Sequence, residues 1–251
     1  MEQYKNKDWL INKYSREKLS MNQIAKLSGI SDGTIKYFMK KYNISHRSQS
    51  EANHLARGNH CELSPKAIKW INGELLGDGC LCSQSAYSAR FSYGSKYFEY
   101  CQYVSNILKS FGVKQTGNIR EQYYKEYNSY VYYYTSLSYV ELLPIYKQWY
   151  PNGKKIIPKN IKLTPLTMRQ WYIGDGYLKH PKNGRPTIEL ATCGFLISDV
   201  NWLIRRLSDL GFKATRWITN NTINISTKST KEFLDYIGDC PINCYKYKFN
   251  Y

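Results

Sequence analysis

The sequence has few acidic residues and no long apolar segment. Its 251 residues include 19 Asp and Glu against 36 Lys and Arg, which gives a formal net charge of +17 at pH 7. A surplus of this size favours a polyanionic partner such as nucleic acid. No apolar run approaches the roughly 18 residues that a transmembrane helix requires, so a membrane-spanning protein is excluded and no membrane partner is expected.

Targeting signals and a disulfide framework are also lacking. Residues 1–9 have neither the apolar core of a signal peptide nor the acid-poor, Arg- and Ser-rich composition of a transit peptide. The seven cysteines are scattered and odd in number. This pattern predicts reduced thiols. We therefore expect an intracellular, reducing location: the cytoplasm of a bacterium or a phage-infected cell, or an organelle if the gene is organelle-encoded. With 42% hydrophobic residues and 25 Tyr, the chain can build a folded core.

Residues 1–46 are predicted to form a small all-helical domain. Ser20 and Gln23 have the spacing of a capping box, and Gly29 follows the apolar positions of that helix. Ser31 then caps a further helix, and the run as a whole resembles a helix-turn-helix. The alternative is a three-helix packing domain that does not touch DNA. The candidate DNA contacts on the last helix are Thr34, Lys36, Tyr37 and Lys40.

An internal duplication follows a polar segment, 47–63, that we interpret as a linker. Ser64 and Thr164 are both followed by proline and then by a helical segment that closes in Gly-Asp-Gly. A second shared segment, around Gly112 and Gly211, lies at nearly the same distance after each Gly-Asp-Gly. The duplication therefore indicates two homologous halves.

Each half shows the pattern of helix, hairpin, helix, hairpin, helix. We predict an α+β fold with two αββαββα units related by a pseudo-two-fold axis, preceded by the small all-helical domain. The halves are expected at about 64–150 and 164–251, joined by 151–163, and together they form one domain over 64–251.

The duplicated aspartates, Asp78 and Asp175, fall at helix C-termini, where the helix dipole disfavours a carboxylate by about a kcal/mol or less. Gly73 and Gly77 would let the first helix pack closely on its counterpart, and the two carboxylates would then repel each other. A divalent cation resolves this conflict, and carboxylate oxygens suit Mg²⁺. The alternative is that Gly-Asp-Gly is only a helix C-cap and turn.

The two segments resemble the motifs of the LAGLIDADG homing endonucleases in their single-chain, two-motif form. Ile71–Gly79 matches the pattern at its small third and seventh positions, its Asp and its last Gly, whereas Met168–Gly176 has Gln170 at the third position. The resemblance covers 64–251 and implies that the motif aspartates are catalytic. It also implies a Mg²⁺ cofactor, for which Mn²⁺ should substitute. The metal ligands expected from it are Asp78, Asp175, Gly77 and Gly174.

The same resemblance implies a lysine near the end of each half that polarises the attacking water. Lys155 and Lys246 are the matching residues, and Lys154 and Lys248 are their competitors. The alternative for each is a solvated lysine that contacts the DNA backbone.

The resemblance further implies that the hairpins form a saddle over the DNA major groove. Basic residues occur in or beside the predicted strands, and tyrosines alternate among them. The candidate DNA contacts are Arg90, Lys114, Arg120, Lys125, Lys182, Arg185, Lys213, Arg216 and Lys228.

The function predicted from these features is site-specific cleavage of both strands of a long DNA target by a monomer. One alternative is a non-cleaving nucleic-acid binder of the same fold, either a maturase with intron RNA as partner or a repressor. Another is a transcription regulator acting through the helix-turn-helix, with the larger region as a ligand-binding or dimerisation module. That alternative leaves the paired Gly-Asp-Gly motifs unexplained.

Overall fold

A computed structural model describes residues 2–182 and 184–251 of the chain. The chain divides into an N-terminal unit that ends at Gly58 and a C-terminal unit that runs from Asn59 to Tyr251. The division falls within the segment interpreted as a linker, and part of that segment is helical. Among the described residues, every helix is too short or too polar to span a bilayer.

The N-terminal unit consists of short helices around a small core of its own. The capping box is present, because the Ser20 hydroxyl accepts from the Gln23 amide and the Gln23 side chain accepts from the Ser20 amide. Gly29 ends this helix at φ +66°, a conformation that favours glycine. The core contains Leu10, Tyr14, Ile24, Ala25, Ile35, Met39 and Ile44. The helices are α1 (Lys7–Ile11), α2 (Met21–Ser28), α3 (Asp32–Lys41) and α4 (Gln49–Arg57), with a 3₁₀ turn at Gln3–Lys5 and a π-helical turn at Asn12–Arg16.

The C-terminal unit contains the predicted duplication, and its α+β class and αββαββα order are confirmed. The first half consists of α5 (Pro65–Leu76), β1 (Cys80–Ser85), β2 (Ser88–Ser95), α6 (Phe98–Ser110), β3 (Arg120–Tyr124), β4 (Ser129–Thr135) and α7 (Leu142–Trp149). The second half consists of α8 (Pro165–Asp175), β5 (Gly176–Lys179), β6 (Thr187–Leu190), α9 (Ile197–Asp209), β7 (Ala214–Trp217), β8 (Thr222–Ile225) and α10 (Thr227–Ile237). Shorter 3₁₀ segments occur at Lys125–Tyr127 and Asn243–Phe249.

Each half forms a four-stranded antiparallel sheet, with strand orders β1-β2-β4-β3 and β5-β6-β8-β7. Strand residues alternate between a buried face and an outer face. In β2, for example, Phe91 and Tyr93 are buried whereas Arg90 and Ser92 are partly exposed. The buried faces and the helices share one continuous core, which leaves the opposite face of each sheet available for binding.

Candidate active site

Helices α5 and α8 begin in the same way and pack directly against each other. The Ser64 and Thr164 hydroxyls accept from backbone amides three residues later, and proline occupies the first helical turn in both. At Gly73 the helices are so close that a Cβ would lie 2.5 Å from the Thr167 carbonyl oxygen. Glycine is therefore required at this crossing.

Gln170, which occupies the small position of the second motif, does not prevent the close crossing. It is fully buried, and its amide nitrogen lies 3.3 Å from the Tyr103 hydroxyl in the first half. The side chain thus extends past Gly73 instead of separating the helices. At this level of the seam, a glycine on α5 alone allows the close approach.

The C-terminal ends of the two helices meet at the Gly-Asp-Gly segments. A Cβ on Gly174 would lie 3.3 Å from the Gly77 Cα and 3.6 Å from Asp78 Oδ2. Burial, with the nearby Asp78 carboxylate, raises the pKa of Asp175 to about 7. The two aspartates are therefore brought together, and Asp175 ionises less readily than an exposed aspartate.

A lysine lies against each helix end. Lys155 Nζ donates to the carbonyl oxygens of Gly77 (3.2 Å) and Gly79 (2.9 Å). Lys248 Nζ donates to the carbonyls of Ile173 (2.6 Å) and Gly174 (3.1 Å). The positive charges complement the negative ends of the helix dipoles.

Burial affects the protonation of both lysines. It lowers the pKa of Lys155 and lowers the pKa of Lys248 to about 8, while the two motif aspartates oppose the shift. The site thus combines the two motif aspartates with two partly desolvated lysines, each of which holds its proton less firmly than in water.

The sequence pattern of the LAGLIDADG DNA endonuclease family matches residues 68–233, which is more than half of the chain. The chain belongs to this LAGLIDADG family. It is 29% identical over 202 residues to the uncharacterized protein MJ1098 of Methanocaldococcus jannaschii, covering 79% of this chain and 76% of the relative. It is also 25% identical over 162 residues to the cytochrome b mRNA maturase bI2 of Debaryomyces hansenii, covering 58% and 56%.

Among solved structures, the homing endonuclease I-WcaI bound to its DNA recognition sequence is similar to this LAGLIDADG chain. The TM-score is 0.65 at 19% identity, and the match covers 84% of this chain and 97% of that one. At this identity the likeness shows a common fold.

The oxygen atoms at the helix ends fit a hard divalent cation. Asp78 and Asp175 supply two carboxylates, and the Gly77 and Gly174 carbonyls lie beside them. The described residues contain no group of three or more His, Cys, Asp or Glu side chains, so a metal held here would have two protein carboxylates at most. This donor set suits Mg²⁺, which usually takes one or two carboxylates and retains water.

Lys246 is predicted to match Lys155, but the lysine that contacts the end of α8 is Lys248, and the catalytic role of either residue stays a prediction. It is exposed, whereas Lys248 is buried against the end of α8. The segment Asn243–Phe249 is a 3₁₀ helix, in which side chains three residues apart share a face. Tyr245 and Lys248 therefore both point inward. Lys154, the competitor in the first half, is exposed as well.

Two functional candidates were missed in the sequence. Glu74 on α5 is fully buried and accepts a hydrogen bond from the Tyr100 hydroxyl (2.8 Å), and burial raises its pKa to about 8. Tyr93 on β2 donates to Asp78 Oδ2 at 3.2 Å. Glu74 could have been detected as a glutamate at a core-facing position of a helix. The contact of Tyr93 with Asp78 could not, because it depends on how β2 packs beside α5.

The outer face of the first sheet carries part of the predicted DNA-binding set. Arg90 and Arg120 share this face with Tyr133, and the Arg120 guanidinium lies 5.3 Å from the Tyr133 ring centre. Tyr134, the next residue, points to the core. The expected division of tyrosines between core and outer face is therefore present in this strand.

The second sheet presents a different outer face. Tyr177, Lys179 and Glu189 lie on it, with the Lys179 ammonium paired to Glu189 and 4.8 Å from the Trp217 ring centre. None of these was among the predicted contacts. Arg216 was predicted there, but it lies opposite Ile223 in the ladder and therefore points to the helix-covered side, where it bonds Asn221.

The remaining predicted contacts lie outside the strands. Lys114, Lys125, Lys182, Arg185, Lys213 and Lys228 are exposed in loops, in a 3₁₀ turn or at the start of α10. In the N-terminal unit, Lys36, Tyr37 and Lys40 are exposed on α3, while Thr34 is partly buried with its hydroxyl 3.0 Å from that of Ser31. Their contact with DNA stays a prediction.

Proposed function

We propose that this chain is a site-specific, double-stranded DNA endonuclease of the homing type that acts as a monomer with a divalent metal. The observation that carries the proposal is the convergence of Asp78 and Asp175 at one helix seam, each beside a half-buried or buried lysine. Two matched sets of acid and cation suit a reaction repeated on two antiparallel strands.

In this proposal the metal is held by Asp78 and Asp175 with the Gly77 and Gly174 carbonyls. When bound, Mg²⁺ would activate water and stabilise charge on the scissile phosphate. The chain's own contribution comes from Lys155 and Lys248. Their desolvated ammonium groups can stabilise developing negative charge, and the lowered pKa of each lysine makes its proton easier to transfer.

The binding surface in this proposal is the outer face of both sheets. The first supplies two arginines among tyrosines, and the second supplies Lys179 with aromatic and acidic neighbours. The formal charge of +17 supports binding to the phosphate backbone, and it predicts affinity that falls steeply with salt. The N-terminal unit would extend this contact through α3.

The proposal is tested with DNA from the insertion region of the gene, incubated with Mg²⁺ or with EDTA. Asp78→Asn and Asp175→Asn should each abolish double-strand cleavage while specific binding is largely retained, because the basic surface is unchanged. Asp209→Asn is the matched control, since Asp209 is an exposed aspartate that pairs with Arg206 on α9. Full cutting by either motif variant in Mg²⁺ would refute the assignment.

A second candidate function is intron RNA maturation, favoured by the similarity to the Debaryomyces hansenii maturase. The test is splicing of the host intron transcript in vitro, with and without the protein. Accelerated splicing together with no DNA cleavage would replace the endonuclease proposal with this one.

A further inference from the structure

The two motif aspartates are supported differently by the residues around them. Tyr93 lies on β2 with its side chain buried, and its hydroxyl donates to Asp78 Oδ2 at 3.2 Å. The Tyr93 ring is fixed by packing on Tyr100, with ring centres 5.1 Å apart. The donor is thus held in place by the core and not by solvent.

The second half has no such donor. Leu81 pairs with Phe91 in the first sheet, and the corresponding Leu178 pairs with Ile188 in the second. Tyr93 lies two residues after Phe91 on β2, and Leu190 lies two residues after Ile188 on β6. Leu190 is therefore the counterpart of Tyr93, and its side chain has no polar atom. Within the ranges 2–182 and 184–251, no hydrogen bond reaches the carboxylate oxygens of Asp175.

A hydrogen bond to one oxygen of a carboxylate restricts its rotation. Residues that orient a metal-binding side chain in this way commonly change metal affinity or activity by about tenfold or more when they are removed. The effect requires a donor on a rigid element, and a strand in the core of the unit provides one.

We propose that Tyr93 is a positioning residue that orients the Asp78 carboxylate, so that the two halves are unequally preorganised and the strand cut beside Asp78 is cleaved first. The proposal rests on the endonuclease function proposed above as far as strand order is concerned. The orientation of Asp78 by Tyr93 does not depend on it.

The chain offers a matched control for Tyr93→Phe. Tyr134 lies directly opposite Tyr93 in the β2–β4 ladder and is also fully buried, but its hydroxyl has no hydrogen-bond partner among the described residues. Tyr93→Phe and Tyr134→Phe therefore each remove one hydroxyl from the same layer of the core. Only the first removes a contact to the site.

The first measurement is binding of Mn²⁺ alone to the full-length protein, followed by electron paramagnetic resonance. Tyr93→Phe should weaken Mn²⁺ binding by about tenfold, whereas Tyr134→Phe should leave it unchanged. Equal Mn²⁺ affinity in wild type and Tyr93→Phe, or an equal loss in both variants, would overturn the proposal.

The second measurement is cleavage of target DNA labelled separately on each strand. Tyr93→Phe should slow one strand by about tenfold, namely the strand most affected by Asp78→Asn, with the DNA dissociation constant unchanged. Equal slowing of both strands would overturn the strand-order part. If the wild type cuts no DNA, the proposed function fails, while the Mn²⁺ comparison still decides the role of Tyr93.

Discussion

Replacing Glu74 with glutamine should change how the stability of the C-terminal unit depends on pH. Glu74 is fully buried on α5, where one carboxyl oxygen accepts from the Tyr100 hydroxyl and the other has no partner among the described residues. Burial raises its pKa from an ordinary 4.5 to about 8. Glutamine retains an acceptor for Tyr100 but cannot ionise.

The sign and size of the effect follow from this pKa difference. Between pH 4.5 and 8 the unfolded chain releases the Glu74 proton while the folded protein retains it, so ionisation stabilises the unfolded chain. Each pH unit in this window lowers the free energy of unfolding by about 1.4 kcal/mol. The wild type should therefore lose roughly 3–5 kcal/mol across the window from this group, and Glu74→Gln should not.

The assay is urea denaturation of wild type and Glu74→Gln at pH 5 and at pH 9. The free energy of unfolding of the variant, relative to that of the wild type, should increase by roughly 3–5 kcal/mol between pH 5 and pH 9. Glu232→Gln, at an exposed position of α10, controls for the general effect of removing a carboxylate. A stability difference between Glu74→Gln and wild type that is the same at both pH values would refute the reasoning.

Four further predictions follow from the site. Gly73→Ala should destabilise the unit by about 1–3 kcal/mol in thermal denaturation, because its Cβ would meet a backbone carbonyl; an unchanged melting temperature would contradict the close seam. Lys248→Met should slow cleavage by about 10² while Lys246→Met cuts normally, and the reverse result would restore the original assignment. Mn²⁺ affinity should fall by up to about tenfold for each pH unit below 7, since the metal requires ionised Asp175, whose pKa is raised; calorimetric titrations that are flat from pH 5 to 7 would contradict this. A chain of residues 59–251 should cut the same bonds but bind more weakly and with a smaller salt slope, and an unchanged footprint would favour the packing-domain alternative.

Much of the fold could be predicted because its signals are local. The hydroxyl-proline starts at Ser64 and Thr164, the repeated Gly-Asp-Gly and the alternating strands each depend on residues close together in sequence. The duplication then related these local signals across the two halves, and it allowed Asp78 and Asp175 to be placed at one seam.

The errors and omissions come from geometry that short patterns do not encode. Lys246 and Lys248 differ only in their place on a 3₁₀ turn, and the face on which Arg216 lies depends on how the edge strand β7 pairs with β8. Tyr93 reaches Asp78 only because β2 packs beside the end of α5. Contacts of this kind require the tertiary structure.

The unequal seam between α5 and α8 determines which halves can be combined. Gly73 leaves room for the Thr167 carbonyl and the Gln170 side chain. The Gln170 amide in turn donates a hydrogen bond to the Tyr103 hydroxyl. Two copies of the second half would place one Gln170 against another, without the glycine that now makes room. The first half is thus a dedicated partner for the second, and a chimaera made by exchanging halves with another protein would need Gly73, Gln170 and Tyr103 to be matched together.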